Sequence, residues 1–169
     1  MRKANIIYLR AHHLLCLQGY QGYGYDEGFK AKMEDIIDQL ANNNNEEYKL
    51  IITDSADDLC KSCPNLIDGK CLGDLDSSDL RDENKTKINK NKTKINQNKT
   101  KINENNSKII NMDNIVLEKA KIEKNQEYSF NKLISIINKS FPTIKDAKKV
   151  CKNCKWIKEC LWIQSLKTS

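Results

Sequence analysis

No apolar run in this sequence approaches the 18 or so residues that a membrane-spanning helix needs. Behind Arg2 and Lys3, Arg10 interrupts the apolar stretch too early for an export signal. Phosphate-loop and dinucleotide fingerprints are also missing, since no G-x-x-x-x-G-K-[ST] occurs and no glycine cluster sits between a strand and a helix in the required way. Pro64 and Lys155 follow the two C-x-x-C pairs where a haem-attachment motif needs histidine, which excludes covalent haem. These absences predict a soluble, cytoplasmic protein with no membrane partner.

Positive charge is present but localised. The chain has 169 residues and a formal charge of +6. Residues 81–111 hold nine Lys or Arg against three Asp or Glu, leaving 20 of each sign elsewhere. The remainder is therefore neutral, and a basic face for nucleic acid is not predicted. The charged segment is a repeat: NKTKINK, NKTKINQ and NKTKINE run from Asn84, and NNSKIIN is a decayed fourth copy. Each copy offers one shared apolar position (Ile88, Ile95, Ile102, Ile109), whereas a coiled-coil seam needs two per heptad. Asparagine is a poor helix former. The segment 84–111 reads as a low-complexity insertion, flexible or partly helical, solvated and dispensable, within a single domain spanning 1–169.

The flanking regions alternate short strands and helices. Ile6–Leu9 and Tyr48–Thr53 read as strands, and Ala11–Leu17 as the start of a helix. Phe29, Met33, Ile36, Ile37 and Leu40 have amphipathic helical spacing, closed by a turn at Asn42–Asn45. Asp54, Ser55, Asp57 and Asp58 supply turn and capping chemistry before Cys60. Further on, Ile115–Ile122 reads as helical, Ser129 as the N-cap of a helix carrying Leu133, Ile134, Ile136 and Ile137, and Thr143 with Asp146 as a capping box. Trp156–Leu166 reads as a last helix, with Trp156 and Trp162 shielding a core. The expected fold is α+β, mainly helical with a minimal sheet of short strands, stapled by a metal or cluster.

What the sequence has in excess is cysteine: seven residues, an odd number, which favours metal or redox chemistry over a disulfide framework. Cys60-Lys-Ser-Cys63 is followed by Cys71, and Cys151-Lys-Asn-Cys154 by Cys160. A C-x2-C turn lets two thiolates point at one centre, and both tetrahedral zinc and a cubane cluster take four. Each triad is one ligand short. Cys16 can complete one, and His12 or His13, one helical turn before it, the other. The competing readings are a small buried hydrophobe for Cys16 and hydrogen-bonded structural roles for the histidines. Gly19, Gly22, Gly24 and Gly28, among Tyr20, Tyr23 and Tyr25, can bring backbone close to a phosphate or cluster sulfur, but read first as a turn between helices.

The stretches "LRAHHLLCL", "GYGYDEGF", "DDLCKSCPNL" with Cys71, and "CKNCKWIKEC" resemble the DUF1284 family of small bacterial and archaeal proteins of unknown function. The resemblance covers everything but the insertion. It departs where similar proteins carry Pro at the positions of Ala11 and Lys155, and in the repeat itself. It implies an iron–sulfur or related metal site on Cys16, Cys60, Cys63, Cys71, Cys151, Cys154 and Cys160, and no particular reaction. The leading expectation is therefore a 4Fe–4S protein for electron transfer or redox sensing, with a redox partner or small-molecule ligand left open. The alternative is a zinc module with all-cysteine or cysteine/histidine sites. A metal-free dithiol oxidoreductase is the third reading.

Overall fold

A computed structural model describes residues 4–42, 47–73 and 92–168, with side chains of the last stretch described from Lys99. The turn expected at Asn42–Asn45 lies outside these residues except for Asn42, as does the first repeat copy with Ile88.

Strand β1 (Asn5–Arg10) is followed by helices α1 (His13–Gly19) and α2 (Glu27–Ala41), which return the chain to strand β2 (Tyr48–Thr53). β1 and β2 are parallel, in register from Asn5 opposite Tyr48 to Arg10 opposite Thr53. The period of two places Ile7 and Leu9 of β1, and Leu50 and Ile52 of β2, in the core. α2 closes that core with Phe29, Met33, Ile36 and Leu40, as its spacing predicts, and Asp26 caps it by accepting from the Phe29 N–H at 2.8 Å.

A 3-10 turn (Cys60–Ser62) and the hairpin β3 (Leu66–Ile67) and β4 (Lys70–Cys71) come next. Helix α3 (Lys92–Ala120) then buries Asp113, Val116, Leu117 and Ala120 along one stripe. A two-residue strand, β5 (Glu127–Tyr128), pairs antiparallel with β2 and completes a three-stranded sheet ordered β1-β2-β5. Helices α4 (Phe130–Ser140), α5 (Ile144–Cys151) and α6 (Leu161–Ser165) pack on α1 and α3 and extend the same core through Leu133, Ile137, Ala147, Val150 and Trp162, with Phe141 at the end of α4. The protein is thus α+β, mainly helical with a minimal sheet. Among the described residues, no helix is long and apolar enough to cross a membrane.

Two local expectations change. The repeat, from Lys92 onward, is helical, as the partly helical reading allows, and runs continuously into the segment after it. Its end is not simply solvated: Asn106 Oδ1 accepts from the Cys71 N–H at 2.9 Å and Asn105 Nδ2 donates to the Leu72 carbonyl at 3.3 Å. Packing at one end thus supports a helix that asparagine-rich sequence would not hold alone. The last helix is shorter than expected, because residues 152–160 fold into consecutive turns, with Cys154 N–H bonded to Cys151 O at 3.0 Å and Ile157 N–H to Cys154 O at 3.2 Å. Thr143 and Asp146 do form the expected box, Thr143 Oγ1 accepting from Asp146 N–H at 3.2 Å.

Candidate metal centre

The site is organised around the N-terminal half of α1, which emerges from the carboxyl ends of the parallel strands. Both C-x2-C pairs adopt the same turn. Cys63 N–H bonds to Cys60 O at 2.9 Å, and Cys154 N–H to Cys151 O at 3.0 Å. All seven cysteines are free thiols.

The cysteines fall into two groups. Cys16, on α1, lies within electrostatic reach of Cys151, Cys154 and Cys160, so the C-terminal triad acquires a fourth thiol from the other end of the chain. Burial first, and then these three neighbours, push the Cys16 thiol well above its ordinary pKa. Burial pushes Cys151 up to about 12, with Cys154 and Cys160 adding to it. Gly19 makes this group possible: a Cβ there would overlap Cys160 Sγ. Gly22, at φ +85°, turns the chain out of α1. Gly19→Ala is expected to cost about 1–3 kcal/mol by overpacking. The extra cost should vanish in a Gly19→Ala, Cys160→Ala pair, and thermal melts of the three variants check it.

The second group contains Cys60, Cys63 and Cys71. All three lie within reach of Asp57, and Cys63 within reach of Cys71. Burial raises Cys63 to about 11, against a lowering contribution from the Asn65 N–H, and raises Cys60 and Cys71 as well. Raised thiol pKa values are the opposite of what a thiol–disulfide enzyme requires. A bound cation reverses this effect, since a coordinated thiol is deprotonated outright.

Around and between the two groups runs a buried polar network. Arg10, Asp57 and Asp113 are each no more than 1% exposed. Asp113 accepts from Arg10 Nε at 2.8 Å and pairs with Arg10 Nη2 at 2.7 Å. Its other oxygen accepts from His12 Nδ1 at 2.7 Å and from the His12 backbone N–H at 3.1 Å. Asp57 Oδ2 accepts from the Arg10 N–H at 2.6 Å and from His13 Nδ1 at 2.6 Å, while Oδ1 accepts from the Cys60 N–H at 2.7 Å. Asp58 seals the same strand edge, accepting from the Tyr8 N–H at 2.8 Å. Burial opposes ionisation of both buried carboxylates. The partners prevail, His13 above all at Asp57 and His12 at Asp113, so both lie below the ordinary carboxylate range. Burial lowers the His12 pKa, so the neutral ring faces the Asp113 carboxylate through Nδ1.

Among the described residues, one set of three metal-ligating side chains brings its donor atoms within 4.8 Å of one another: His13, Asp57 and Cys60. Sequence reasoning placed Asp57 as a turn cap, which it is, but not as a partner of His13. It missed Asp113 and Arg10. The one available signal was that Asp113 falls on the stripe of Val116, Leu117 and Ala120, where an apolar residue belongs. Trp162 is buried as expected, while Trp156 is half-buried and packs edge-on against Tyr25, with ring centroids 4.9 Å apart.

Fold and site together define a cysteine-rich α+β protein with a His/Asp/Cys group able to hold a metal ion. A family model described as "Protein of unknown function (DUF1284)" matches residues 24–105 and 88–160, two segments that overlap inside the repeat, and the chain belongs to that family. No curated protein and no solved structure matches the chain.

Proposed function

We propose that this chain is an iron–sulfur protein whose cluster is held by Cys16, Cys151, Cys154 and Cys160 and serves electron transfer or redox sensing in a reducing, cytoplasmic setting. The observation that carries this reading is the convergence of Cys16 with the C-terminal triad. Four thiols from two distant stretches, with Cys16 and Cys151 raised in pKa by burial and by their neighbours, form a donor set that a cationic centre relieves.

A cubane and a single zinc ask different spacings of these four residues. Zinc–sulfur bonds of about 2.3 Å bring tetrahedral sulfurs to about 3.8 Å from one another. Among the described residues, no three of these four sulfurs meet within 4.8 Å. A cubane holds its thiolates on four separate irons and takes a wider arrangement. When bound, it supplies one-electron chemistry. The chain's own contribution is to exclude water with Trp162 and Ile163, and to bring the Gly19 backbone against Cys160. Arg10 and Asp113 set a fixed dipole beside the group, since Asp113 lies within reach of Cys16.

Anaerobic purification, with a visible spectrum and with iron, zinc and acid-labile sulfide measured on one sample, tests the reading. The expected result is a brown protein with matching iron and sulfide. A colourless protein with stoichiometric zinc and no sulfide would replace the redox reading with a structural zinc module.

A further inference from the structure

The compact trio at the start of α1 plays no part in the four-thiol group. His13 stands on α1, while Asp57 and Cys60 lie three residues apart in the loop and turn after β2, and their donor atoms converge within 4.8 Å. Two of them are fixed before any ion arrives. The Asp57 carboxylate is clamped by the backbone N–H groups of Arg10 and Cys60, and it holds the His13 ring through Nδ1 at 2.6 Å. Cys60 itself is buried at the head of its turn.

We propose that His13, Asp57 and Cys60 form a second, mononuclear site for a divalent transition metal of the zinc type, separate from the cluster ligands. Its fourth position is open to water, as zinc sites with three protein ligands leave it. The chemistry selects the ion. One imidazole nitrogen, one carboxylate oxygen and one thiolate sulfur suit zinc, cobalt(II) or iron(II), and do not suit magnesium or calcium, which want oxygen throughout. Charge balance agrees. A carboxylate and a thiolate neutralise a divalent ion, so the buried site ends near zero, whereas Arg10 is already committed to Asp113. The purely structural reading, a His–Asp clamp tying α1 to the loop after β2 with Asp57 capping the turn at Cys60, accounts for the hydrogen bonds but predicts no thiolate-to-metal absorption.

Cobalt(II) is the probe, because thiolate ligation gives it visible charge-transfer bands. A full-length Cys16→Ser chain, which lacks one cluster ligand, is titrated with cobalt(II) under anaerobic conditions. The expected result is one equivalent bound with thiolate-to-cobalt absorption, displaced by zinc. Adding His13→Gln or Cys60→Ser to that chain should weaken uptake at least tenfold. As single changes, both should leave the iron and sulfide of the otherwise unaltered chain as they were. Uptake without thiolate absorption overturns the proposal with no change on that side of the molecule, so it does not depend on the variants folding. Uptake that survives either replacement also overturns it, as does iron that falls with Cys60→Ser, which would move Cys60 into the cluster. An unaltered chain with neither iron nor sulfide would defeat the cluster reading alone and leave the cobalt titration to decide this one.

Discussion

Asp113→Ala is expected to destabilise the fold by about 3–5 kcal/mol, the cost of leaving one partner of a buried ion pair uncompensated. The side chain joins Arg10, the His12 ring and the His12 backbone in one fully buried junction. Its removal leaves the guanidinium, among the described residues, with the Asp54 carbonyl at 3.0 Å as its remaining hydrogen-bond partner. Against a total stability of order 5–15 kcal/mol, the loss is large enough to leave much of the protein unfolded at physiological temperature. Urea denaturation at constant slope measures it. An Arg10→Met, Asp113→Leu pair should recover at least half the loss, since apolar replacement of both partners removes the stranded charge. A pair as unstable as Asp113→Ala alone would show that the His12 bonds, not the ion pair, carry the energy. The effect also has a pH signature. Because the folded carboxyl of Asp113 lies below its ordinary pKa, its stabilising contribution is complete above that ordinary value, near 4, and is lost as pH falls through the lower folded value. The gap between the unaltered chain and the variant should therefore close on acidification below about pH 4.

The second large effect is chemical. Cys16→Ser is expected to take iron from about four per chain, the content of one cubane, to a small fraction of that, with sulfide falling in step. Cys71→Ser should change neither. Serine keeps the shape of cysteine, but its hydroxyl is a poor cluster ligand. The contrast tests the grouping itself: Cys16 lies in reach of the C-terminal triad, and Cys71 in reach of Asp57, Asp113 and Arg10. Cys16 and Cys151 stand 135 positions apart, so a shared centre would close a long loop and tie the two ends of the chain. The Cys16→Ser protein should accordingly melt well below the unaltered one. Equal iron in both variants would show that neither residue is a ligand, and loss in Cys71→Ser alone would exchange the roles of the two groups.

What was legible in the sequence was local. Period-two and period-3.6 patterns place β1, β2 and α2 because each is decided by residues a few positions apart, and the Thr143–Asp146 box is readable for the same reason. The His12, His13 and Cys16 stretch could be read as a cluster of side chains, since helical spacing fixes which of them point together. What each one meets could not be read. Asp113 lies 103 positions from Arg10, and nothing local to either names the other. The repeat was legible only as flexible or partly helical: its composition argues against a stable helix alone, and the contacts of Asn105 and Asn106 with Leu72 and Cys71 support one. The shortened last helix has a related cause, since turn hydrogen bonds around Cys151 and Cys154 replace the helical ladder that apolar spacing alone would predict.

The heptad period of α3 has a consequence for how this gene segment can vary. Seven residues make nearly two full turns, and a copy gained or lost rotates the upstream helix by only about 20°. The buried end of α3, where Asn105, Asn106 and Asp113 make their bonds, fixes the phase of the whole rod. Whole copies inserted or deleted before Asn103 would therefore lengthen or shorten the helix by about 10 Å each while leaving those three side chains facing the same partners. Changes of other lengths would swing the upstream face away. The repeat thus behaves as a slippage-tolerant spacer, one that replication errors in units of seven can expand or contract without reaching the cysteines.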